Sequence, residues 1–598
     1  MLSLPVYGGN RNGVGWKLLG SRTPMLLPRR SATTIVTIPD SSSTRDHQMR
    51  TQTYRDSEAV DFVVVGSGAA GGVMARELAQ SGLTVVVLEQ GPRLSLASFT
   101  HDELKYWFMG GITNDAVKNP QTFRNDPAKD AALVKLRPAL WYGRTVGGAS
   151  LHYTANFWRL HPIDFNERSV LGAIAGTGFA DWPITYADLE PYYTKVEWEI
   201  GVSGLAGANP FDPPRTKPYP MPPLPVKSSG VILERGARKL GLHPAPAPMA
   251  INSQVYRGRP ACVHCGFCHG FACEVVAKAS TLTTVIPEAE ATGRCEVRPD
   301  SYVARIETSA HGRATGVAYF DAGRRERFQK ARAVVVCANG AETPRLLLMS
   351  ANPRFPHGLA NASGLVGKYL MFNYTSRALG VFEHELNEHK SVQVTRIVHD
   401  FYDSDPKRGH YGGGGLDGRI GPQPLMWAIR TATEGPSWGS AYKARLREFP
   451  RSMQVACHGT SLAVETNSVT LDPVVKDAWG LPAIRVTYKD HPDDLANARF
   501  LQDRGAEILD AAGALRVTKA PVIEQNSGMH LLGTCRMGDD PATSVVDKYH
   551  RSHDVPNLFL CDGSSLVTSG RGQPTMTIQA LAFRAGEHIA RFAKRGEI

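Results

Sequence analysis

The chain has 598 residues, of which 42% are hydrophobic and 21% charged, a balance typical of a globular protein with more than one domain. Its net charge of +11 comes without a basic stripe interleaved with aromatic residues, which argues against nucleic-acid binding. No apolar run reaches about eighteen residues, so we expect no membrane-spanning helix.

The first segment, residues 1–57, is rich in Gly, Arg, Ser, Thr and Pro and has no helical or strand periodicity. We predict a disordered N-terminal extension. Arg29 and Arg30 are not followed by an apolar core, which argues against a secretory or twin-arginine signal. Met49 is a second candidate start of translation. The default expectation is therefore a cytoplasmic protein.

The next residues follow the order of a dinucleotide-binding unit. Phe62 to Val65 form an unbroken apolar run, as in a buried parallel strand, and residues 73–81 have helical periodicity. Glu89 ends a second strand, where its carboxylate can accept hydrogen bonds from ribose hydroxyls. The glycine-rich loop between the first strand and the helix lets backbone N–H groups approach a pyrophosphate, and it consists of Gly66, Ser67, Gly68, Ala69, Ala70 and Gly71.

The cofactor is predicted to be FAD rather than a nicotinamide. Glu89 disfavours the 2′-phosphate of NADP. A second glycine turn runs from Arg144 through Gly147 and Gly148, and another strand ends at Asp562 and Gly563. A single nicotinamide site would not need elements dispersed so widely along the chain.

The middle of the chain is less regular. Residues 204–228 contain many prolines and predict a surface excursion, whereas residues 296–317 and 333–336 are strand-like. Residues 366–490 hold short alternating segments typical of an antiparallel sheet, and an amphipathic helix is predicted at about 577–594. The resulting division is a FAD-binding domain of residues 58–200, 255–365 and 525–598, a Pro-rich excursion of residues 201–254, and a substrate-binding domain of residues 366–524.

Four cysteines crowd into one short segment, at Cys262, Cys265, Cys268 and Cys273. The first three have the Cys-x2-Cys-x2-Cys spacing found in ferredoxins, so an iron–sulfur cluster is one interpretation. Structural cysteines in a compact turn are a second interpretation, and a zinc site is a third.

Taken in order, several motifs resemble those of the glucose–methanol–choline (GMC) oxidoreductases. Within that family the chain is most similar to gluconate 2-dehydrogenase and other FAD-dependent sugar dehydrogenase large subunits, and pyranose oxidase-like enzymes look similar too. The motifs lie at residues 65–71, 146–148, 344–347, 530–538 and 562–564, with supporting stretches at 181–193, 265–268 and 544–547.

The resemblance implies an α/β (α+β overall) fold, in which a Rossmann-type FAD-binding domain carries a discontinuous antiparallel-sheet substrate domain, as in GMC and p-hydroxybenzoate-hydroxylase-like proteins. It implies that Val303 and Thr575 also contact FAD. His152 matches the position where some relatives tether the flavin to a His, so a covalent link and simple packing are both open.

The implied reaction is oxidation of a secondary or anomeric alcohol of a sugar or sugar acid, with hydride transfer to flavin N5. His530 matches the family's base, and an imidazole suits that role because its pKa lies near neutrality. The second active-site position holds Gln573 instead of Asn or His. An amide can orient the substrate but cannot act as a base.

The electron acceptor is expected to be a cytochrome c or a quinone, reached with a small companion subunit. An alternative is a pyranose- or C-glycoside-type oxidase that uses oxygen, and a third is a flavin-binding subunit without chemistry. Export with a signal-bearing partner subunit would place the protein in the periplasm or at a membrane, in place of the cytoplasm.

Overall fold

The computed structural model describes residues 54–598 except 115, 136, 388–389 and 422. The predicted extension of residues 1–57 and the candidate start at Met49 lie almost wholly outside the described residues. Among the helices of the described part, none combines the length and the apolar character needed to cross a bilayer.

The strands within the described residues are, in chain order, β1 Val60–Val65, β2 Val85–Leu88, β3 Gln121–Arg124, β4 Ala132–Leu133, β5 Pro244–Pro246, β6 Cys295–Arg298, β7 Tyr302–Thr308, β8 Ala314–Phe320, β9 Glu326–Val336, β10 Thr375–Val381, β11 Arg396–Val398, β12 Gly415–Arg419, β13 Ser452–His458, β14 Ser468–Lys476, β15 Pro482–Thr487, β16 Arg516–Lys519 and β17 Leu558–Leu560. The α-helices are α1 Ala69–Gln80, α2 Glu103–Trp107, α3 Glu167–Leu171, α4 Tyr186–Val196, α5 Ser228–Lys239, α6 Val285–Ala291, α7 Asn339–Met349, α8 Pro424–Glu434, α9 Gly439–Leu446, α10 Pro492–Ala511 and α11 Pro574–Lys594.

The first sheet has the strand order β6-β2-β1-β9-β8-β7, and β17 pairs with β9. Strand β1 runs parallel to both β2 and β9, with Val63 opposite Val86 on one side and Val334 on the other. Because both faces of the sheet centre are covered, β1, β2 and the last four residues of β9 are almost all apolar. Helices α1 and α11 pack against each other. The predicted mixed α/β fold with a Rossmann-type core is confirmed.

The second sheet is antiparallel and has the order β16-β10-β13-β12-β11-β5. Helices α5 and α10 cover it, and Leu233, Leu501 and Ile508 are among the buried residues of this layer. The edge strand β5 comes from the Pro-rich segment, where proline is tolerated because an edge strand leaves donors unpaired.

The third sheet has the order β14-β15-β3-β4. It pairs residues 121–124 with residues 484–487, and so joins segments that are far apart in the chain. The proposed division into domains stays a prediction.

Candidate active site

A cavity of about 560 Å³ lies between the first and second sheets. The ends of β1, β2 and β9 line one side through Val65, Leu88 and Cys337. Strands β10, β12 and β13 contribute to the other side. Ligands of parallel α/β sheets bind beyond the carboxyl ends of the strands, and this cavity occupies that position.

The glycine loop packs so closely that two of its positions accept no side chain. Gly66 has φ +92°, and a Cβ there would lie 2.6 Å from the Cys337 carbonyl oxygen. A Cβ on Gly71 would lie 2.0 Å from the Gly66 carbonyl oxygen. At Gly68 the nearest atom would be 3.9 Å away, and this residue lines the cavity at the start of α1. The loop therefore opens a helix N-terminus to the cavity, a position that favours phosphate.

The second glycine turn packs tightly against the first. Gly147 and Gly148 have φ +96° and +55°, and a Cβ on Gly148 would lie 2.8 Å from the Gly68 Cα. The Gly147 N–H donates to Ser67 Oγ at 3.1 Å. The two turns thus form one wall, in which Gly68 and Gly148 face the cavity while Ser67, Gly71 and Gly147 lie behind it.

Glu89 also lines the cavity, as the sequence predicted for a ribose-binding carboxylate. Its carboxylate accepts from Ser67 Oγ at 2.7 Å and from the Gly91 N–H at 3.0 Å. Burial raises the pKa of Glu89, although these hydrogen bonds oppose the rise. Arg144 is near enough for its charge to act on Glu89, but its side chain does not line the cavity and stacks over Trp479.

The remaining predicted cofactor residues reach the same space. Val303, Asp562, Gly563 and Thr575 all line the cavity. The Asp562 carboxylate accepts from Thr343 Oγ1 at 2.6 Å, and this contact fixes the β17 end against α7.

His152 lines the cavity as well, and its Nε2 is buried without a hydrogen-bond partner among the described residues. Burial, reinforced by the Lys278 ammonium, lowers the pKa of His152 to about 4. A buried, unpaired imidazole nitrogen at the wall of this cavity fits contact with a bound cofactor.

His530 faces the cavity with a defined tautomer. The Asn373 amide donates to the carbonyl oxygens of Ser569 and Gly570, both at 3.1 Å, so its own oxygen points to His530 Nδ1 at 2.9 Å. His530 Nδ1 therefore carries the proton, and Nε2 keeps its lone pair. Burial, with a smaller effect of the neighbouring His458, lowers the pKa of His530 to about 4.

Gln573 lies at the same cavity and donates to His458 Nδ1 at 3.4 Å. His458 Nε2 in turn lies 2.8 Å from an oxygen of Asp417, and Arg419 binds the same carboxylate. Burial alone would raise the pKa of Asp417, but Arg419 and His458 lower it to about 2. An ionised Asp417 holds the proton on His458 Nε2 and leaves Nδ1 free to accept from Gln573.

Sequence reasoning missed three of these residues, Asn373, His458 and Asp417. They lie in or beside the antiparallel sheet, within residues 366–524, for which the sequence predicts a substrate-binding domain but marks no individual site residue. No local motif marks them, because their side chains meet His530 and Gln573 only through the pairing of β10, β12 and β13.

The cysteine segment lies directly behind the cavity wall. His269 and Gly270, which follow Cys268, line the cavity, and the Gly270 N–H donates to the His152 carbonyl oxygen at 2.8 Å. All four thiols are free, and burial raises the pKa of Cys262 to about 11 and that of Cys268 to about 12.

One group of three potential metal ligands converges within 4.8 Å in the described part of the chain, and it consists of His101, Cys265 and Glu274. It includes only one of the four cysteines, so a single zinc ion held by the cysteine segment does not fit this arrangement. The ligands of an iron–sulfur cluster bind to several metal atoms, so their sulfur atoms need not converge on one point.

Comparison with known proteins gives matches over nearly the whole described chain. Residues 60–375 and 463–582 match the two models of the family described as GMC oxidoreductase. The 2-methyl-1,2-propanediol dehydrogenase of Mycolicibacterium austroafricanum is 36% identical over 90% of this chain and 96% of its own length. The gluconate 2-dehydrogenase flavoprotein of Pantoea cypripedii is 29% identical over 89% of this chain and 93% of its own length. The fructose dehydrogenase large subunit of Gluconobacter japonicus is 31% identical over 90% of this chain and 99% of its own length.

Solved structures support the fold. A variant of formate oxidase from Aspergillus oryzae superimposes with a TM-score of 0.61 at 15% identity, and 91% of this chain and 100% of that chain are covered. At this identity the likeness concerns the fold alone.

Proposed function

Because the chain belongs to the GMC oxidoreductase family, which acts on CH–OH groups, we propose that it is a FAD-dependent dehydrogenase of a sugar, sugar acid or related polyol. The observation that carries the proposal is a single cavity that joins the glycine wall at Gly68 to His530 and Gln573. The predicted family, and the likeness to gluconate 2-dehydrogenase within it, are confirmed.

The residues at the cavity fit FAD. Gly68 and Gly148 would hold the pyrophosphate, Glu89 would accept from the ribose, and His152 would contact the ring system through its unpaired Nε2. When bound, FAD supplies the acceptor for the hydride that leaves the alcohol carbon.

His530 takes the hydroxyl proton at Nε2. Asn373 holds the opposite nitrogen protonated, so the lone pair needs no tautomer change before it reacts. Gln573 orients the hydroxyl through its amide oxygen, since its NH2 group is engaged by His458. The antiparallel sheet thus positions both groups that handle the alcohol.

The orienting role of His458 predicts an effect on binding more than on chemistry. Replacing His458 with Leu frees the Gln573 amide to rotate, and we expect kcat/KM to fall about 10–100-fold, mostly through KM. His458→Asn places an amide oxygen near the Nδ1 position and should retain more activity. Steady-state kinetics of both variants at equal FAD content measure this difference, and equal losses in the two would refute the orienting role.

The contact of His152 with the flavin is tested by acid precipitation. We expect the yellow colour in the supernatant, because most histidines beside a cofactor pack against it without forming a bond. Colour retained by the pellet, and released in His152→Ala, would instead establish a covalent link.

We propose that electrons leave the flavin past the cysteine segment. This segment is close to the cavity, because His269 and Gly270, which follow Cys268, line the cavity wall. A relative that is named as a large subunit supports a companion subunit, with a cytochrome c or quinone as final acceptor. Analysis of iron and labile sulfide separates the two remaining interpretations of the cysteines: both elements accompany a cluster, and neither accompanies structural thiols.

The proposed function is tested by an anaerobic screen of sugars, sugar acids and small diols for bleaching of the flavin. Substrates found in this way are then turned over with a dye acceptor and, separately, with air. A dehydrogenase turns over faster with the dye, whereas faster turnover in air would favour the oxidase alternative.

A further inference from the structure

Charge is distributed unevenly along the cavity. The carboxylates that line it are Glu89, Glu342 and Asp562, and all of them belong to the nucleotide-binding side. On the substrate side the charged lining residues are arginines, Arg377 on β10, Arg419 on β12 and Arg430 on α8. The end of the cavity where the alcohol is placed is therefore positive.

Two of the three arginines are already neutralised. Arg419 binds the buried Asp417 carboxylate through two nitrogens, and Arg377 pairs with Glu434 at 3.1 Å. The Arg430 guanidinium makes no hydrogen bond or ion pair with any described residue, although it is half-buried. Burial first, and then the neighbouring Arg377 and Arg137 charges, lower the pKa of Arg430 to about 10, while Glu434 opposes this.

A partly desolvated cation beside other cations is costly unless an anion accompanies it. One guanidinium fork matches one carboxylate, with two parallel N–H···O bonds. The pyrophosphate of FAD is assigned to the glycine wall and does not need this cation. The unpaired group therefore points to an anion carried by the substrate.

We propose that Arg430 binds a carboxylate of the substrate, so that the enzyme prefers hydroxy acids to the corresponding neutral polyols. This inference rests on the proposed function, whose substrate class it narrows. It also assigns a role to α8, whose first turn is tied to the rest of the wall by the Glu103 carboxylate, which accepts from the Leu425 and Met426 N–H groups.

The test uses the FAD-loaded full chain and matched ligand pairs that differ only in a carboxylate or a CH2OH group: gluconate with sorbitol, and glycerate with glycerol. Binding is measured from the perturbed flavin spectrum, and anaerobic reduction is measured on the same samples. Arg430→Gln removes the charge, and Arg430→Lys keeps it. Arg137→Gln is the control, because Arg137 contributes charge near Arg430 but is exposed and does not line the cavity.

We expect the acid of at least one pair to bind at least tenfold more tightly than its polyol. That preference should fall at least tenfold in Arg430→Gln, stay largely intact in Arg430→Lys and be unchanged in Arg137→Gln. The inference is overturned if neither acid is preferred, or if Arg430→Gln leaves the preference intact. Arg430-dependent binding of an acid without flavin reduction by any ligand would uphold the inference and refute the proposed function. Flavin reduction by a polyol, with no acid whose binding depends on Arg430, would uphold the proposed function and refute the inference.

Discussion

Replacing His530 with Gln is expected to lower kcat by about 10²–10⁴-fold while FAD stays bound. The reason is that Nε2 is the basic nitrogen placed at the cavity, and a Gln side chain offers no group that can take a proton at neutral pH. Anaerobic rapid mixing with a substrate, at equal FAD content, measures the effect. His243→Gln serves as the control, since His243 is exposed and pairs with Asp400 away from the cavity.

The pH dependence of kcat/KM in the wild-type protein tests the same role of His530 independently. A base works in its neutral form, and burial together with His458 lowers the pKa of His530 to about 4. We therefore expect kcat/KM to be level from about pH 5 upward and to fall at lower pH as His530 becomes protonated. An acid limb near pH 6.5, the ordinary value for an imidazole, would contradict this account of His530.

Replacing Gly68 with Ala is expected to give a folded protein that has lost most of its FAD. A Cβ at this position meets no protein atom closer than 3.9 Å, so the fold tolerates it, but it projects at the wall where the pyrophosphate is proposed to lie. The flavin-to-protein ratio and the melting temperature of the FAD-free protein together measure this effect. Gly421→Ala is the matched control, because its Cβ would make ordinary contacts of 3.6 Å with Trp427.

Gly71→Ala gives a contrasting result. Its Cβ would lie 2.0 Å from the Gly66 carbonyl oxygen, so we expect loss of the fold rather than selective loss of FAD. Full FAD content in Gly68→Ala would contradict the assignment of the glycine wall to the cofactor.

The sequence reveals the nucleotide-binding half well because its signals are local. The run from Phe62 to Val65 predicts a strand covered on both faces, and the spaced glycines predict the turn that follows. Both are present, although α1 begins at Ala69, earlier than helical periodicity alone indicates. The C-terminal helix likewise begins at Pro574, three residues before its predicted start, because proline is suited to the first helical position.

The substrate half is less predictable because its site is assembled from distant strands. Asn373, His458 and Arg430 come from three separate segments of the chain, and no sequence spacing marks any of them. The resemblance to a family identified His530 and Gln573, but not the groups that orient them. Strand β5 was missed because its two prolines predict a loop. A strand with two prolines is tolerated here because β5 lies at the edge of its sheet.

The central claim is that one cavity brings an alcohol, His530 and FAD together. Its most direct test is anaerobic mixing of the FAD-loaded protein with an alcohol from the screen, either unlabelled or deuterated at the reacting carbon. We predict bleaching of the flavin that is slower with the deuterated alcohol and nearly abolished in His530→Gln. A flavin that stays oxidised with every sugar, sugar acid and diol, or that is bleached equally fast in His530→Gln, would contradict the claim.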